Sequence, residues 1–256
     1  MTRTTCGALL LGAALALTAC TGSNGSTTTA TTTTVTTVAA TSTAPASGRS
    51  ATSTATAGAT IESAELSYRM LDAMVKAGSG KGTLSSPAGF TGTLAFRFPT
   101  ATTSESVVNM TVQGLSIEAV SKDNVVYLKG LPTALTGGKP WVKADPKGSD
   151  ELSKAMREYG ANMGDPTAMV DQWKGGTATL VEQTATSSRY TVTGTTTQQG
   201  ADATIDLTLD AEDRPQEVTM KSSGVTVMVK YTDWGAPVTI EVPPADQVGT
   251  LTAGTS

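Results

Sequence analysis

The chain has 256 residues, with 22 acidic side chains against 18 basic ones, a formal charge of -4 and no histidine. The missing histidine excludes Ser-His-Asp and Cys-His catalysis, His-ligated zinc and imidazole pH switching, and the acidic balance argues against nucleic acid as a partner. Both cysteines, Cys6 and Cys20, fall at the extreme N-terminus, so the rest of the chain has neither disulfide nor thiolate metal chemistry open to it.

The N-terminus reads as an export signal. Arg3 supplies the positive charge, and Ala8 to Leu17 form an apolar run too short to span a bilayer. The run ends in Leu17-Thr18-Ala19-Cys20, with the small residue Ala19 directly before the cysteine. This tetrad resembles the bacterial lipobox. The resemblance implies that residues 1–19 are removed and that Cys20 becomes a diacylglyceryl-modified N-terminus. The chain is then expected at the extracytoplasmic face of the cell membrane, held by the lipid on Cys20.

Residues 20–60 form the next segment. From Thr21 to Thr60 the residues are almost all Thr, Ala, Ser and Gly, with Arg49 as the sole charge before Ile61. Such a segment cannot bury enough apolar area to offset the entropy of ordering, so it is expected to be a disordered tether. A coil of about 40 residues has a typical reach of roughly 35 Å.

A single domain is expected over residues 61–256. Ile61 to Ala77 repeats apolar residues at helical spacing through Leu66, Met70 and Met74, with Ser63 as the expected N-cap and Gly78 and Gly80 as the stop. After Lys81 the period changes from 3.6 to 2. One strand carries Leu94, Phe96 and Phe98 on a single face. Further strands are expected at Ser106 to Gln113, Leu115 to Ser121, Val125 to Gly130, Trp141 to Ala144, Ala178 to Gln183, Arg189 to Thr197, Ala203 to Asp210, Gln216 to Ser222 and Val225 to Trp234. Alternation is clearest where Ala203, Ile205, Leu207 and Leu209 interleave with polar residues, giving one dry face and one wet one. Lys122-Asp123-Asn124, Ala211 to Pro215 and Ser222-Ser223-Gly224 supply turn chemistry.

Two helices interrupt the strands, at Ser149 to Gly160 and Pro166 to Lys174, and this insertion bears Met156, Met163 and Met169. Asp145, Asp150, Glu151, Asp165 and Asp171 gather in this insertion. Their spacing fits no calcium loop, and helix N-termini already account for Asp150, Glu151 and Asp165. With no phosphate loop, nucleophile elbow or paired metal ligands, neither an enzyme nor a resident cofactor or metal is expected.

The fold class is therefore α+β: a curved antiparallel half-barrel of about ten strands with helices covering its concave face. Val126-Tyr127-Leu128-Lys129, Lys139-Pro140-Trp141-Val142-Lys143, Arg189-Tyr190-Thr191-Val192 and the block Tyr231-Thr232-Asp233-Trp234-Gly235-Ala236-Pro237-Val238 recur in this order, followed by Ile240 and Pro243-Pro244-Ala245-Asp246. In these residues the chain resembles the mycobacterial LppX, LprA, LprF and LprG lipoproteins, whose fold is similar to the LolA and LolB carriers.

The resemblance implies a hydrophobic cavity for the acyl chains of envelope lipids or lipoglycans, and the chain is expected to be a monomer. Its lining would come from Leu94, Phe96, Phe98, Met110, Ile117, Met156, Met163, Met169, Ile205, Leu207, Leu209 and Val227. The residues by themselves leave two arrangements open, a ligand-holding cavity or a core closed on itself. A second functional class stays open beside lipid carriage, that of a module docking cell-envelope proteins.

Overall fold

A computed structural model describes residues 56–112, 114–143, 149, 153–157, 166–167, 173–196 and 201–250. The signal, Cys20, the proposed tether up to residue 55, the acidic cluster of the insertion, Met163 and Met169 lie outside the described residues.

Among the described residues, one curved, unclosed sheet of thirteen strands dominates. In chain order these are β1 (Thr60–Glu62), β2 (Ser79–Ser86), β3 (Phe90–Thr100), β4 (Thr103–Val112), β5 (Leu115–Lys122), β6 (Val125–Lys129), β7 (Trp141–Lys143), β8 (Thr177–Gln183), β9 (Ser187–Thr196), β10 (Asp202–Asp210), β11 (Pro215–Ser222), β12 (Val225–Thr232) and β13 (Val248–Thr250). Their lateral order is β1-β8-β9-β10-β11-β12-β2-β3-β4-β5-β6-β7-β13. Every neighbouring pair is antiparallel except β7 and β13, which run parallel. The sheet is a left meander, β8 to β12, and a right meander, β2 to β7, joined where β12 pairs with β2.

Three strands exceed the expected ten. β1, β2 and β13 carry weak local signals and are held by their partners, through Ile61 opposite Ala178, Leu84 opposite Gly92 and Val248 opposite Trp141. The turn chemistry acts where expected. Asp123 and Asn124 have φ of 52° and 60°, and Ser223 and Gly224 have φ of 50° and 79°. Left-handed backbone at both central residues matches the twist of the flanking strands in a two-residue hairpin.

The helix α1 (Ser63–Ala77) lies across the concave face. Its C-terminus is closed by Gly78 at φ 81°, whose N–H bonds the carbonyls of Met74 and Val75. The N-terminus departs from expectation, because Glu62 occupies the cap position and Ser63 is the first helical residue. The Ser63 hydroxyl instead donates to the carbonyl of Trp173, linking α1 to the chain entering β8. A short helix, α2 (Thr133–Thr136), sits between β6 and β7. Of the two inserted helices, 153–157 and Trp173 are helical, and the remainder lies outside the described residues.

The outer face is not uniformly wet. Val120 and Trp141 pack there with Ile240 from the segment after β12, joined by Val107, Tyr127, Val238 and Val248. Lys122 fastens this strap by donating to the Ile240 carbonyl at 3.2 Å, and Lys139 donates to the Asp246 carbonyl at 2.8 Å. Glu105 is buried beneath it and paired with Arg97 at 2.7 Å.

Candidate functional site: the concave face

Strand register decides which side chains share the inner face, because directly opposed residues project to the same side. One continuous row crosses nine strands through Leu180, Tyr190, Leu207, Val218, Val229, Leu84, Gly92, Met110 and Ile117. A second runs from Tyr231 through Gly82, Leu94, Val108, Ala119 and Leu128 to Val142. These rows bring Leu94, Met110, Ile117 and Leu207 onto one face, with Phe96, Phe98, Ile205 and Leu209 at alternate positions of the same strands. Val227 joins them opposite Met220, which itself pairs with Ile205. Met156 is buried, 2% exposed.

The face has two unlike halves. On the left, α1 presents Leu66, Met70 and Met74 to a buried cluster containing Trp173, Ala178, Leu180, Tyr190, Val192, Ile205, Leu207, Leu209 and Phe96. Leu66 and Leu209 are fully buried, and Leu207 is 1% exposed. Burying one such side chain contributes about 1.5 to 3 kcal/mol relative to leaving it in water. Here sheet and helix close directly on one another. At the seam, Phe96 makes edge contacts with Phe98, Tyr231 and Trp234 at ring separations of 5.6, 6.1 and 5.4 Å. The Trp234 indole N–H donates to the Pro215 carbonyl at 3.1 Å. Burial pushes the Tyr231 phenol up to about 12, so it stays neutral throughout the physiological range.

The right half is built differently. From β4 to β7 the inner face carries Val108, Met110, Ile117, Ala119, Val126, Leu128 and Val142, all buried. No aromatic ring faces this side in those four strands, since Tyr127 and Trp141 point outward into the strap cluster. Besides the half-buried Ser104 at the start of β4, the polar interruption is Ser106 opposite Ser121, on the row that continues from Phe96 to Val126. These two serines are a feature that sequence reading passed over. The signal was available: a polar residue falls at the end of the Ile117, Ala119, Ser121 alternation, on the dry side of the strand.

An open trough of about 630 Å³ lies over β3 to β6, bordered by Thr91, Thr93, Asn109, Thr111, Glu118 and Lys129, with Met110 and Ile117 between them. Its hydroxyl, amide and charged lining is that of a solvated sheet surface, unlike the apolar interior. Among the described residues, no group of three or more Cys, Asp or Glu side chains is arranged to hold a metal ion. No helix of the described residues is long and apolar enough to cross a membrane.

No protein-family model matches the chain, and no curated protein matches it in sequence. Its structure is similar to that of LprF from Mycobacterium bovis, at 15% identity and a TM-score of 0.44, covering 73% of this chain and 99% of that one. It is also similar to the lipoprotein LppX of Mycobacterium tuberculosis, at 12% identity and a TM-score of 0.43, covering 70% of this chain and 97% of the other. A LolA superfamily protein from Nitrosomonas europaea matches at 9% identity and a TM-score of 0.26, over 68% of this chain and 92% of that one.

Proposed function

We propose that this chain is a membrane-anchored, extracytoplasmic lipoprotein that binds the acyl chains of envelope lipids or lipoglycans against its concave face. The observation that supports the reading is the division of that face. Aromatic rings and α1 fill the left half, whereas the apolar rows continue through β4 to β7 without an aromatic or a charged side chain turned inward. An aliphatic wall of this kind matches a hydrocarbon chain in polarity, and ligand sites of this class are lined by apolar side chains with few polar ones. The resemblance of the sequence to the LppX group points the same way, as does the lipobox ending in Cys20.

Residues Leu94, Phe96 and Phe98 would form the border between the closed half and the acyl-binding half. Met110 and Ile117 would contact the chains directly, with Met156 from the helical segment 153–157 beside them. Ile205, Leu207, Leu209 and Val227 would support the site from the closed side. Methionine suits a contact surface that must fit chains of different lengths, because its unbranched side chain repacks at low cost.

The test is mass spectrometry of organic extracts from protein purified without detergent from its own host. Co-purifying acylated lipid at near-stoichiometric amount is the expected result. Protein free of lipid would favour the docking-module reading.

A further inference from the structure

In the aliphatic half, β4 to β7, the inner face carries a buried polar pair that an acyl-chain wall alone does not require. Along β5, Ile117, Ala119 and Ser121 alternate on the inner side, and Ser121 stands directly opposite Ser106 of β4. Both serines are buried, Ser121 to 3% exposure. The Ser121 hydroxyl has no hydrogen-bond partner, and neither has that of Ser67, which is wholly buried on α1.

A hydroxyl that has given up water without gaining a partner is costly to bury, and native interiors keep few of them. Alanine would avoid that cost at position 121, as it does at Ala119 on the same strand. What the orphan hydroxyl keeps is one free donor and two acceptor positions. Its cross-strand neighbours are Ser106 on one side and the aliphatic Val126 on the other. Lys122, Lys129 and Lys143 alternate with inner residues and point outward, so no cation turned inward from β5 to β7 compensates a charged head group there. A site that offers uncharged hydroxyls in an otherwise aliphatic wall suits a neutral oxygen on an otherwise apolar ligand, and disfavours the analogue that lacks it.

We propose that Ser121 is a positioning residue that donates a hydrogen bond to the carbonyl oxygen of a neutral acyl ester. This rests on the acyl-binding reading and adds to it a polar registration point. The chain lies along the aliphatic rows, and the ester is fixed at the depth of the Ser106 and Ser121 pair.

Two probes of equal carbon number separate the possibilities: methyl palmitate and n-heptadecane, each delivered from cyclodextrin and competed against a fluorescent apolar dye in the full-length protein. The wild-type chain should prefer the ester. Ser121→Ala should weaken methyl palmitate about tenfold while leaving n-heptadecane within about twofold, and Ser121→Thr should retain the preference. Because the hydroxyl is unpaired in the free protein, Ser121→Ala should leave the unfolding midpoint unchanged or raised. Equal wild-type affinity for the two probes, an equal loss of both in Ser121→Ala, or a lowered midpoint would overturn the assignment while acyl binding stood. Binding of neither probe would overturn acyl binding itself, and the assignment with it.

Discussion

Arg69 of α1 and Asp213, in the turn between β10 and β11, form a two-point ion pair, Nε to Oδ2 at 3.3 Å and Nη2 to Oδ1 at 2.8 Å. Burial works against the Arg69 charge, but Asp213, with a smaller contribution from Tyr190, overrides it and holds the guanidinium above its ordinary value. Beside the Ser63 hydrogen bond at its start, the helix is thus fixed by its apolar stripe beneath and by this pair at the rim of the sheet. Arg69→Ala should cost about 1 kcal/mol, read as a lower urea midpoint with an unchanged m-value. An unchanged midpoint would show that α1 is held without this pair.

Gly80 is placed by close approach. A Cβ there would stand 2.7 Å from Cζ of Phe96 and 3.0 Å from the Trp234 ring. Gly80→Ala must displace one ring or the other from the aromatic seam, at about 1 to 3 kcal/mol. Thermal unfolding and near-ultraviolet circular dichroism should report a lower midpoint and an altered aromatic signal together. A variant matching the wild type in both would mean that the seam has slack.

On the outer face, Asp206 accepts from Lys221 at 2.7 Å and from Thr191 at 2.9 Å. The hydrogen bond from Lys221 is the larger cause holding this carboxyl below the usual aspartate range, and burial opposes it. A lowered folded pKa contributes stability that is present above the unfolded value near about 4 and lost as pH falls through the folded one. The unfolding midpoint of the wild type should therefore decline below about pH 4 more steeply than that of Asp206→Asn. Added salt should reduce the difference, since the pair is solvent-exposed. Parallel pH profiles for the two proteins would contradict this.

Anchoring makes its own demand. If Cys20 carries the only membrane attachment, Cys20→Ser should appear in the soluble fraction, because a diacylglyceryl group there would supply the two acyl chains that stable anchoring takes. Retention of the variant on membranes after salt and carbonate washing would reveal a second attachment.

The meander was legible because alternation and turn chemistry agree: Ile205, Leu207 and Leu209 alternate with polar residues, and Ser223-Gly224 reverses the chain where the pattern pauses. β2 was not legible, since Ser79, Gly80, Gly82, Ser85 and Ser86 have low strand propensity and no apolar period. It is a strand because β12 and β3 pair with it on both sides. β1 and β13 are three residues each, and their pairing with β8 and β7 spans too much sequence for any local pattern to show. The strap escaped notice for a related reason. Val238 and Ile240 lie among prolines and polar residues, and only the folded sheet reveals that they cover Val120 and Trp141. At the concave face, sequence identified apolar residues on one side. It could not separate the half closed by α1 from the half that is not, because that depends on where Leu66, Met70 and Met74 land.

The most direct measurement fills the proposed acyl-binding half and compares it with the closed one. Ala119 is small and lies between Val108 and Leu128 on the inner face, whereas Leu207 is locked beneath α1. Retained lipid and the unfolding midpoint of delipidated protein should be measured for Ala119→Trp and Leu207→Trp. Leu207→Trp should lower the midpoint through overpacking, by about 1 to 3 kcal/mol. Ala119→Trp should lose lipid with little change in midpoint, the ring occupying space that acyl chains otherwise take. A comparable fall in midpoint for Ala119→Trp, in protein whose wild type holds no lipid, would contradict an acyl-binding interior.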